Sequence, residues 1–172
     1  AAALDHLRSR GRRRIAVLRI KQTPPPSQSL EAMAADRGMA IERHWIQTIS
    51  HRDAFTARNV AHLLMHGGQT APPDGLMIAN GRLIEHAARG VLDAGIDHVN
   101  DLDVVGLASH PLPVEAAIEV AGLGFDHEEN LRLAVTQLIR KGRGEQPEPR
   151  VVVKPKFSHE FTFSARRTVG AN

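Results

Sequence analysis

The sequence predicts an α/β protein with a doubly wound parallel sheet that is flanked by helices on both faces. Short apolar segments alternate with amphipathic helical segments along the 172 residues. The first apolar segments lack the polar–apolar alternation of a strand with one solvent-facing side, which is typical of strands buried between two layers of helices. Ligands of such sheets bind beyond the carboxyl ends of the strands, so residues that follow a strand are the first candidates for a site.

The first half of the chain predicts two strand–helix pairs. Residues 13–20 (RRIAVLRI) form an apolar run rich in Ile and Val, and three prolines then force an extended loop. Residues 30–38 (LEAMAADRG) form a helix that Ser27 or Ser29 can cap and that ends at a glycine. The segment 39–46 (MAIERHWI) is the second predicted strand, and 54–68 is a helix with Phe55, Val60, Leu63 and Leu64 on its inner side.

The second half continues the alternation. A strand over 76–79 leads into a helix over 82–95, whose predicted inner residues are Leu83, Ile84, Ala87, Val91 and Leu92. The predicted elements that follow are a strand at 102–107, a loop at 108–118, a short strand at 119–125, a helix at 126–144 and a strand at 150–157. Acidic residues crowd the start of the last helix and basic residues its end, as the helix dipole favours. Pro155 predicts an edge or end position for the last strand.

Composition excludes several classes of protein. Hydrophobic residues make up 42% and charged residues 24% of the chain, which is ordinary for a globular protein. No apolar run approaches the roughly 18 residues of a membrane span. Absence of cysteine rules out disulfides and thiolate chemistry. Aromatic residues make up only 3% of the chain and tyrosine is absent, which argues against a stacking platform for single-stranded nucleic acid.

No motif for catalysis or for a cofactor is present in the sequence. It has no Gly-x-Ser-x-Gly elbow and no Gly-x4-Gly-Lys phosphate loop, and we predict no catalytic residues and no cofactor. His62 and His66 have a spacing that can hold a metal on a helix, but the sequence places no third ligand, so two solvated histidines are the favoured interpretation. Glu128 and Glu129 open a helix, and a dipole role is favoured over acid–base chemistry.

Two residues stand out as candidates for ligand binding. Asn80 follows a buried strand and precedes a helix, where it can cap the helix, contact a ligand, or do both. Trp45, the single tryptophan, is predicted near the end of the second strand, either as a core residue or as a flat wall against a ring-shaped ligand. We expect Asn80, Trp45 and the segment Leu107 to His110 to face the same edge of the sheet.

The amino-terminal segment is unusually basic. Five arginines lie within residues 8–14, and they can either track phosphates or offset the dipole of the preceding helix, which is the favoured interpretation. Because the sequence begins within a helical pattern without a capping residue, we expect it to be part of a longer protein.

Read in order, several segments resemble the LacI/GalR family of bacterial transcription regulators. They are AALDHLRSRGRRRIAVL, PDGLMIAN, ARGVLDAGIDHVNDLDVVGL and VAGLGFDHEENLRLAVTQLI. The most specific stretch runs from Pro73 to Leu107. The resemblance covers nearly the whole chain and concerns the effector-binding part of these proteins.

The resemblance implies a two-subdomain, periplasmic-binding-protein-like core in which a small-molecule effector changes the affinity for operator DNA. DNA would be bound by an amino-terminal domain that lies outside this chain, and the regulators act as cytoplasmic homodimers. Residues 1–122 would form the carboxyl-terminal subdomain, residues 123–156 a helix and strand of the other subdomain, and residues 157–172 the return crossover and tail. A periplasmic-type solute-binding protein for a sugar-like ligand is the alternative.

The resemblance also implies which residues contact the effector. The implied ligand-binding residues are Asn80, Trp45, Ser109, Phe125 and Gln22. Gly81 replaces the usual aspartate after the asparagine, and Ala108 stands where an aspartate usually grips sugar hydroxyls. Loss of this carboxylate and of the usual ligand-clamping arginine removes strong charge-assisted hydrogen bonds. We therefore expect either an effector that is sugar-like or less polar, or a degenerate pocket.

Overall fold

Six strands form one sheet in the computed structural model, which describes residues 1–21, 29–50, 52–110, 114–146, 148 and 150–161. The strands are β1 (Ile15–Ile20), β2 (Ile46–Ile49), β3 (Gly75–Ile78), β4 (Asp103–His110), β5 (Ala121–Asp126) and β6 (Lys156–Phe157). The helices are α1 (Ala2–Ser9), α2 (Leu30–Ala35), α3 (Thr56–Met65), α4 (Ile84–Asp93) and α5 (His127–Gly142). The strand order is β2-β1-β3-β4-β5-β6, and only the last pair is antiparallel.

Two hydrophobic layers enclose the sheet. Leu76 and Ile78 of β3 pack with α3 and α4 on one face, whereas Met77 packs with α1 and α2 on the other. Strand residues that alternate between two cores have no solvent-facing side, which explains the unbroken apolar runs. The doubly wound parallel sheet predicted from the sequence is therefore confirmed. Among the described residues, no helix is long and apolar enough to cross a membrane.

Ion pairs close the amino-terminal edge of the sheet. Asp103, at the start of β4, accepts hydrogen bonds from Arg12 and from Arg10, the latter at 3.0 Å. Burial opposes ionisation of this carboxyl, but the hydrogen bonds from both arginines outweigh it and lower the pKa of Asp103 below its ordinary value. Asp74 accepts the backbone N–H groups of the segment that enters β1. Much of the basic segment thus serves to align strand starts, a role that neither sequence interpretation included.

Helices α3 and α4 meet at an unusually close contact. A Cβ atom placed on Gly90 would lie 2.0 Å from the backbone carbonyl oxygen of Arg58. Only glycine leaves room there for the backbone of α3. Gly90 therefore sets the distance between the two helices. An ion pair between Arg58 and Asp93, 2.6 Å apart, runs along the same contact.

The sequence misplaced three strand boundaries. The second strand begins only at Ile46, because residues 43–45 form a 3₁₀ turn and Ala40 makes only an isolated bridge to Arg14. Strand β4 continues through His110, where a loop was expected, because β5 supplies pairing partners as far as Asp126. The predicted strand at 150–157 shrinks to Lys156 and Phe157, immediately after Pro155, since proline cannot donate to a ladder.

Helix faces were predicted correctly only in part. Leu64 is buried in α3, but Phe55 and Leu63 are 62% and 69% exposed, because small residues, Ala57 and Ala61, form the inner face. In α4 four of the five predicted inner residues are buried, and Leu92 is 41% exposed. Close packing around Gly90 favours small side chains at this contact, and the larger ones point away from it.

Helix α5 differs from the other helices because none of its residues is buried. Its exposed large apolar side chains nevertheless lie on one side of the helix, within an arc of about a third of its circumference. They are Leu131, Val135, Leu138 and Ile139, each between 45% and 68% exposed. The side chain of Asp126 caps this helix by accepting a hydrogen bond from the backbone of Glu129, 3.0 Å away.

We predict that Gly90→Ala destabilises the protein. Alanine normally favours a helix interior by up to about 1 kcal/mol over glycine, but here its methyl group must displace the Arg58 carbonyl at an expected cost of about 1–3 kcal/mol. Gly67→Ala is the control, since no atom lies within 4 Å of a Cβ atom there. Urea unfolding measures both; equal stability of the two variants would contradict the close contact.

Candidate functional site

The carboxyl ends of β1, β3 and β4 form one edge of the sheet. Ile78 of β3 pairs with Leu18 of β1 and with Gly106 of β4. Asn80 follows two residues later, and Ser109 lies three residues beyond Gly106 in β4. Because parallel strands in register end at the same level, the two polar side chains reach the same edge.

Asn80 caps the turn that opens the next helix. Its backbone is extended, with φ at −159°, and its side-chain oxygen Oδ1 accepts a hydrogen bond from the backbone N–H of Arg82 at 3.0 Å. The turn Gly81–Leu83 then leads into α4. The cap uses only Oδ1, so the amide N–H groups of Asn80 are not needed for it. The predicted capping role is confirmed, whereas the predicted ligand contact stays a prediction.

Gly81 lies very close to the end of β4. A Cβ atom on Gly81 would lie 3.0 Å from the backbone carbonyl oxygen of Leu107 in β4, which is tighter than most Cβ contacts in proteins. A larger residue at position 81 would push the turn away from β4. A glycine at this position therefore allows the Asn80 turn to lie close to the end of β4.

A cavity of about 510 Å³ opens between this turn and the end of β4. Its lining comes from the Asn80 turn, the first turn of α4, the end of β4 and the residues after position 113. The lining residues are Asn80, Gly81, Arg82, Ile84, Glu85, Ala108, Ser109, Val114 and Glu115. The cavity therefore combines an amide, a hydroxyl and charged groups with apolar side chains, as small-molecule sites do.

Charges surround the cavity mouth. Glu85 forms an ion pair with Arg89, one helical turn further on, at 2.9 Å. Arg82 and Glu115 add one positive and one negative charge, and both side chains are exposed. Exposed charges of this kind orient a polar ligand but contribute little binding energy on their own.

Phe125 lies on β5, next to Ser109, and does not itself line the cavity. It is the register partner of Ser109, so both side chains project from the same face of the sheet. Its ring is 43% exposed and offers an apolar surface next to the Ser109 hydroxyl. Two of the predicted ligand-binding residues are thus neighbours, which the sequence separation of their strands did not reveal.

The prediction that Trp45 lies at the carboxyl edge is wrong. Trp45 precedes the first residue of β2, Ile46, which pairs with Val17, whereas Asn80 follows Ile78, which pairs with Leu18. Measured along β1, the two positions differ by about four residues, or roughly 13 Å. Trp45 is 5% exposed, packs in the core under α3, and its indole Nε1 donates to Gln69 at 3.4 Å. Its role is core packing, the first of the two roles considered.

Gln22 lies outside the described residues. The two histidines with metal-ligand spacing, His62 and His66, place their ring centroids 5.7 Å apart, edge to face. In the part of the chain that the structure describes, no group of three or more potential ligands is close enough to hold a metal ion.

Sequence reasoning missed several residues of this edge. Arg82, Val114 and Glu115 line the cavity, but nothing in their local pattern distinguishes them from ordinary surface residues. Phe55 is different: it precedes α3, in the connection from the carboxyl end of β2, and is strongly exposed. An aromatic residue two positions after the polar sequence 50–53 was a usable signal, but Phe55 was assigned to the inner side of the helix.

Comparisons with known proteins identify the architecture. Residues 4–158 match the family model described as a periplasmic binding protein-like domain. No curated protein sequence matches the chain.

Solved structures of LacI family regulators have the same fold. One from Bifidobacterium animalis subsp. lactis is 16% identical, with a TM-score of 0.71, and the alignment covers 91% of this chain and 58% of that one. A Lactobacillus casei regulator with bound sucrose is 18% identical (TM-score 0.66; 91% and 59% covered). An Arthrobacter regulator in complex with lactose is 21% identical (TM-score 0.65; 91% and 60% covered). The chain thus spans about three fifths of these proteins.

We predict that the cap makes Asn80→Ala less stable than Asn80→Asp. Alanine removes the acceptor for the Arg82 N–H, at an expected cost of about 0.5–2 kcal/mol, whereas aspartate keeps an acceptor of the same reach. Thermal and urea unfolding of the two variants measure the difference. If Asn80→Ala is as stable as wild type, the cap does not contribute.

Proposed function

Because the chain belongs to the family of periplasmic binding protein-like domains, we propose that it is the effector-sensing and dimerisation part of a LacI-type transcription regulator. A small molecule binds at the carboxyl edge of the sheet and alters the affinity for operator DNA. The DNA-binding domain lies outside this chain, and the protein acts in the cytoplasm as a homodimer. A solute-binding protein for a sugar-like ligand is the second candidate, favoured by the match to the family model of a periplasmic binding protein-like domain.

The observation that carries the proposal is the placement of Asn80. One end of its amide is fixed by the cap, and the residue lines the cavity together with Ser109. A fixed side chain loses little rotational freedom when it binds a ligand, so its N–H groups are preorganised hydrogen-bond donors. Asn80 therefore donates to a ligand hydroxyl or carbonyl while Ser109 supplies a second polar contact.

The lining of the cavity indicates the class of ligand. Ala108 and Ser109 at the end of β4 both line the cavity, and Phe125 presents an aromatic surface beside Ser109 on the same face of the sheet. Aromatic faces pack against the apolar faces of sugar rings, and single amides and hydroxyls bind their edges. We infer a sugar-like or less polar effector that is held by neutral hydrogen bonds.

The exposed face of α5 supports a division of the chain between two subdomains. Leu131, Val135, Leu138 and Ile139 are at least 45% exposed, although they form one continuous apolar strip. Such a strip on a soluble protein marks a contact surface. We propose that residues 1–122 belong to one subdomain, that 123–156 pack against the other subdomain of the longer protein, and that 157–172 form the return crossover and tail.

The proposal is tested first by a thermal-shift screen of the full-length protein against sugars, polyols, nucleobases and small acids. A ligand present at 100 times its dissociation constant stabilises the native state by about 2.7 kcal/mol, which raises the melting temperature measurably. We expect a hit among sugars or less polar ring compounds. A screen in which no compound shifts a cooperatively folding protein would contradict the sensor role.

Asn80→Asp then separates capping from binding. Aspartate keeps the Oδ1 acceptor but lacks the amide N–H groups, so we expect wild-type stability and about 2–10-fold weaker binding of the screened ligand, from loss of one neutral hydrogen bond. Calorimetric titration measures the affinity. Unchanged affinity would show that Asn80 acts only as a cap.

The regulator and the transport candidates differ in what the ligand changes. A regulator shifts its affinity for operator DNA on ligand binding, whereas a solute-binding protein has no DNA affinity to change. Electrophoretic mobility of promoter DNA with the full-length protein, with and without the ligand, decides between them.

We predict that Leu131→Ser destabilises the full-length protein more than Arg132→Ser does. Leu131 lies on the apolar strip of α5, which the proposal places against the second subdomain, and a buried leucine contributes about 1.5–3 kcal/mol. Arg132 is its exposed neighbour on the same helix, outside the strip. Chemical unfolding measures the free energy of unfolding of both variants. Equal and small losses of stability would show that the apolar strip of α5 is exposed to solvent in the full-length protein.

A further inference from the structure

His110 is the one polar or charged residue that is buried within the described part of the chain. It ends β4 and is 1% exposed. Neither of its ring nitrogens has a hydrogen-bond partner there. A neutral imidazole always carries one N–H donor and one bare nitrogen, so burial without partners is unfavourable for both. A buried, unpaired histidine in an otherwise apolar interior is costly, and its surroundings therefore indicate what it does.

The ring of His110 is covered by the segment Lys156–Phe161. The rings of His110 and Phe161 lie 3.9 Å apart at an angle of 32°. The ammonium nitrogen of Lys156 lies over the Phe161 ring, 5.8 Å from its centre. The segment itself is held by three kinds of contact. Two residues pair with β5, the ring of His6 in α1 lies 4.6 Å from that of Phe157, and Glu160 accepts the backbone N–H of Phe157 at 2.6 Å.

The groups that face His110 differ in charge. Asp126 is its register partner on β5 and attracts a proton to the ring, whereas His127, at the start of α5, repels a charged ring. The backbone of Lys156 also favours the charged form, although no acceptor lies in hydrogen-bonding geometry. The Lys156 ammonium is paired with Glu129 at 3.7 Å, and Asp126 already accepts the Glu129 N–H. Positions 111–113, next along the chain, are Pro-Leu-Pro and cannot ionise.

We propose that His110 is a proton-sensitive latch: the neutral ring holds Phe161 against the end of β4, and protonation of the ring releases the segment Lys156–Phe161. A charged imidazolium needs acceptors for two N–H groups, and in the closed site no acceptor lies in hydrogen-bonding geometry to either ring nitrogen. Water can supply them only after the Phe161 ring moves away. The covering segment thus opens when the ring takes up a proton.

The direction of the pH dependence follows from burial. Burial lowers the pKa of His110 below its ordinary value of 6.5, and it outweighs the attraction of Asp126. The open form, whose ring is solvated, therefore binds a proton more readily than the closed form. The contact is most stable above pH 6.5 and weakens as the pH falls below that value. For a solvated ring with a pKa near 6.5, the open population rises by up to about tenfold between pH 7.5 and 5.5.

Hydrogen–deuterium exchange of the full-length protein tests the latch. Exchange of the peptide that contains residues 156–161 is measured at pH 7.5 and 5.5, and each rate is divided by the intrinsic rate at that pH. We expect protection in the wild type to fall by severalfold, up to about tenfold, at the lower pH. In His110→Leu, which fills the site with an uncharged side chain, protection should not change with pH.

Two further variants make the outcome decisive. The double variant His6→Gln/His159→Gln removes the two other histidines whose rings contact Phe157, and it should keep the wild-type pH dependence. His110→Asn gives a second uncharged replacement if leucine impairs folding, and it should also abolish the dependence. The latch is wrong if the wild type shows no pH-dependent loss of protection, or if both His110 variants retain it. Neither result bears on whether a sugar binds, so the test is independent of the proposed function.

Discussion

The site depends on the parallel register of β3 between β1 and β4. Ile78 is paired on both sides, to Leu18 and to Gly106, which brings Asn80 and the end of β4 to one level. At the opposite edge, Asp103 and Asp74 hold the arginine-rich entry to β1, and this contact fixes where the three strands begin. Because strand length and starting level together determine where strands end, ion pairs far from the cavity position its polar groups.

The density of packing differs between the two ends of the strand order. Around β1 and β3 the helices seal both faces, and the α3–α4 contact is as close as backbone atoms permit. Towards β5 the packing is sparse: α5 buries no residue, Phe125 is exposed, and a short segment covers His110. Regions with few buried apolar contacts open at lower free energy than the core, so the proposed ligand contacts and the proposed latch lie where movement is least costly.

Sequence reasoning succeeded where the signal was local. Asn80 was identified as a cap because strand, asparagine and helix follow one another directly, and Ser29 likewise caps α2 by accepting the Ala32 N–H at 3.1 Å. Trp45 was misplaced because an apolar run does not say where pairing begins; only β1 decides that Ile46, and not Met39, starts the ladder. The exposure of Phe55 was missed for a similar reason, since the inner face of α3 is chosen by its contact with α4.

The sequence by itself determined the alternation of buried strands and amphipathic helices, hence the doubly wound sheet, and the residues that follow each strand. These features depend on neighbours within about one turn or one strand. Only the tertiary structure decided that Ser109 stands beside Phe125, that Gly90 sets the distance between two helices, and that His110 is buried without a partner. Each of these joins segments whose pairing no local pattern encodes, because distance and burial between them follow from how the whole sheet closes.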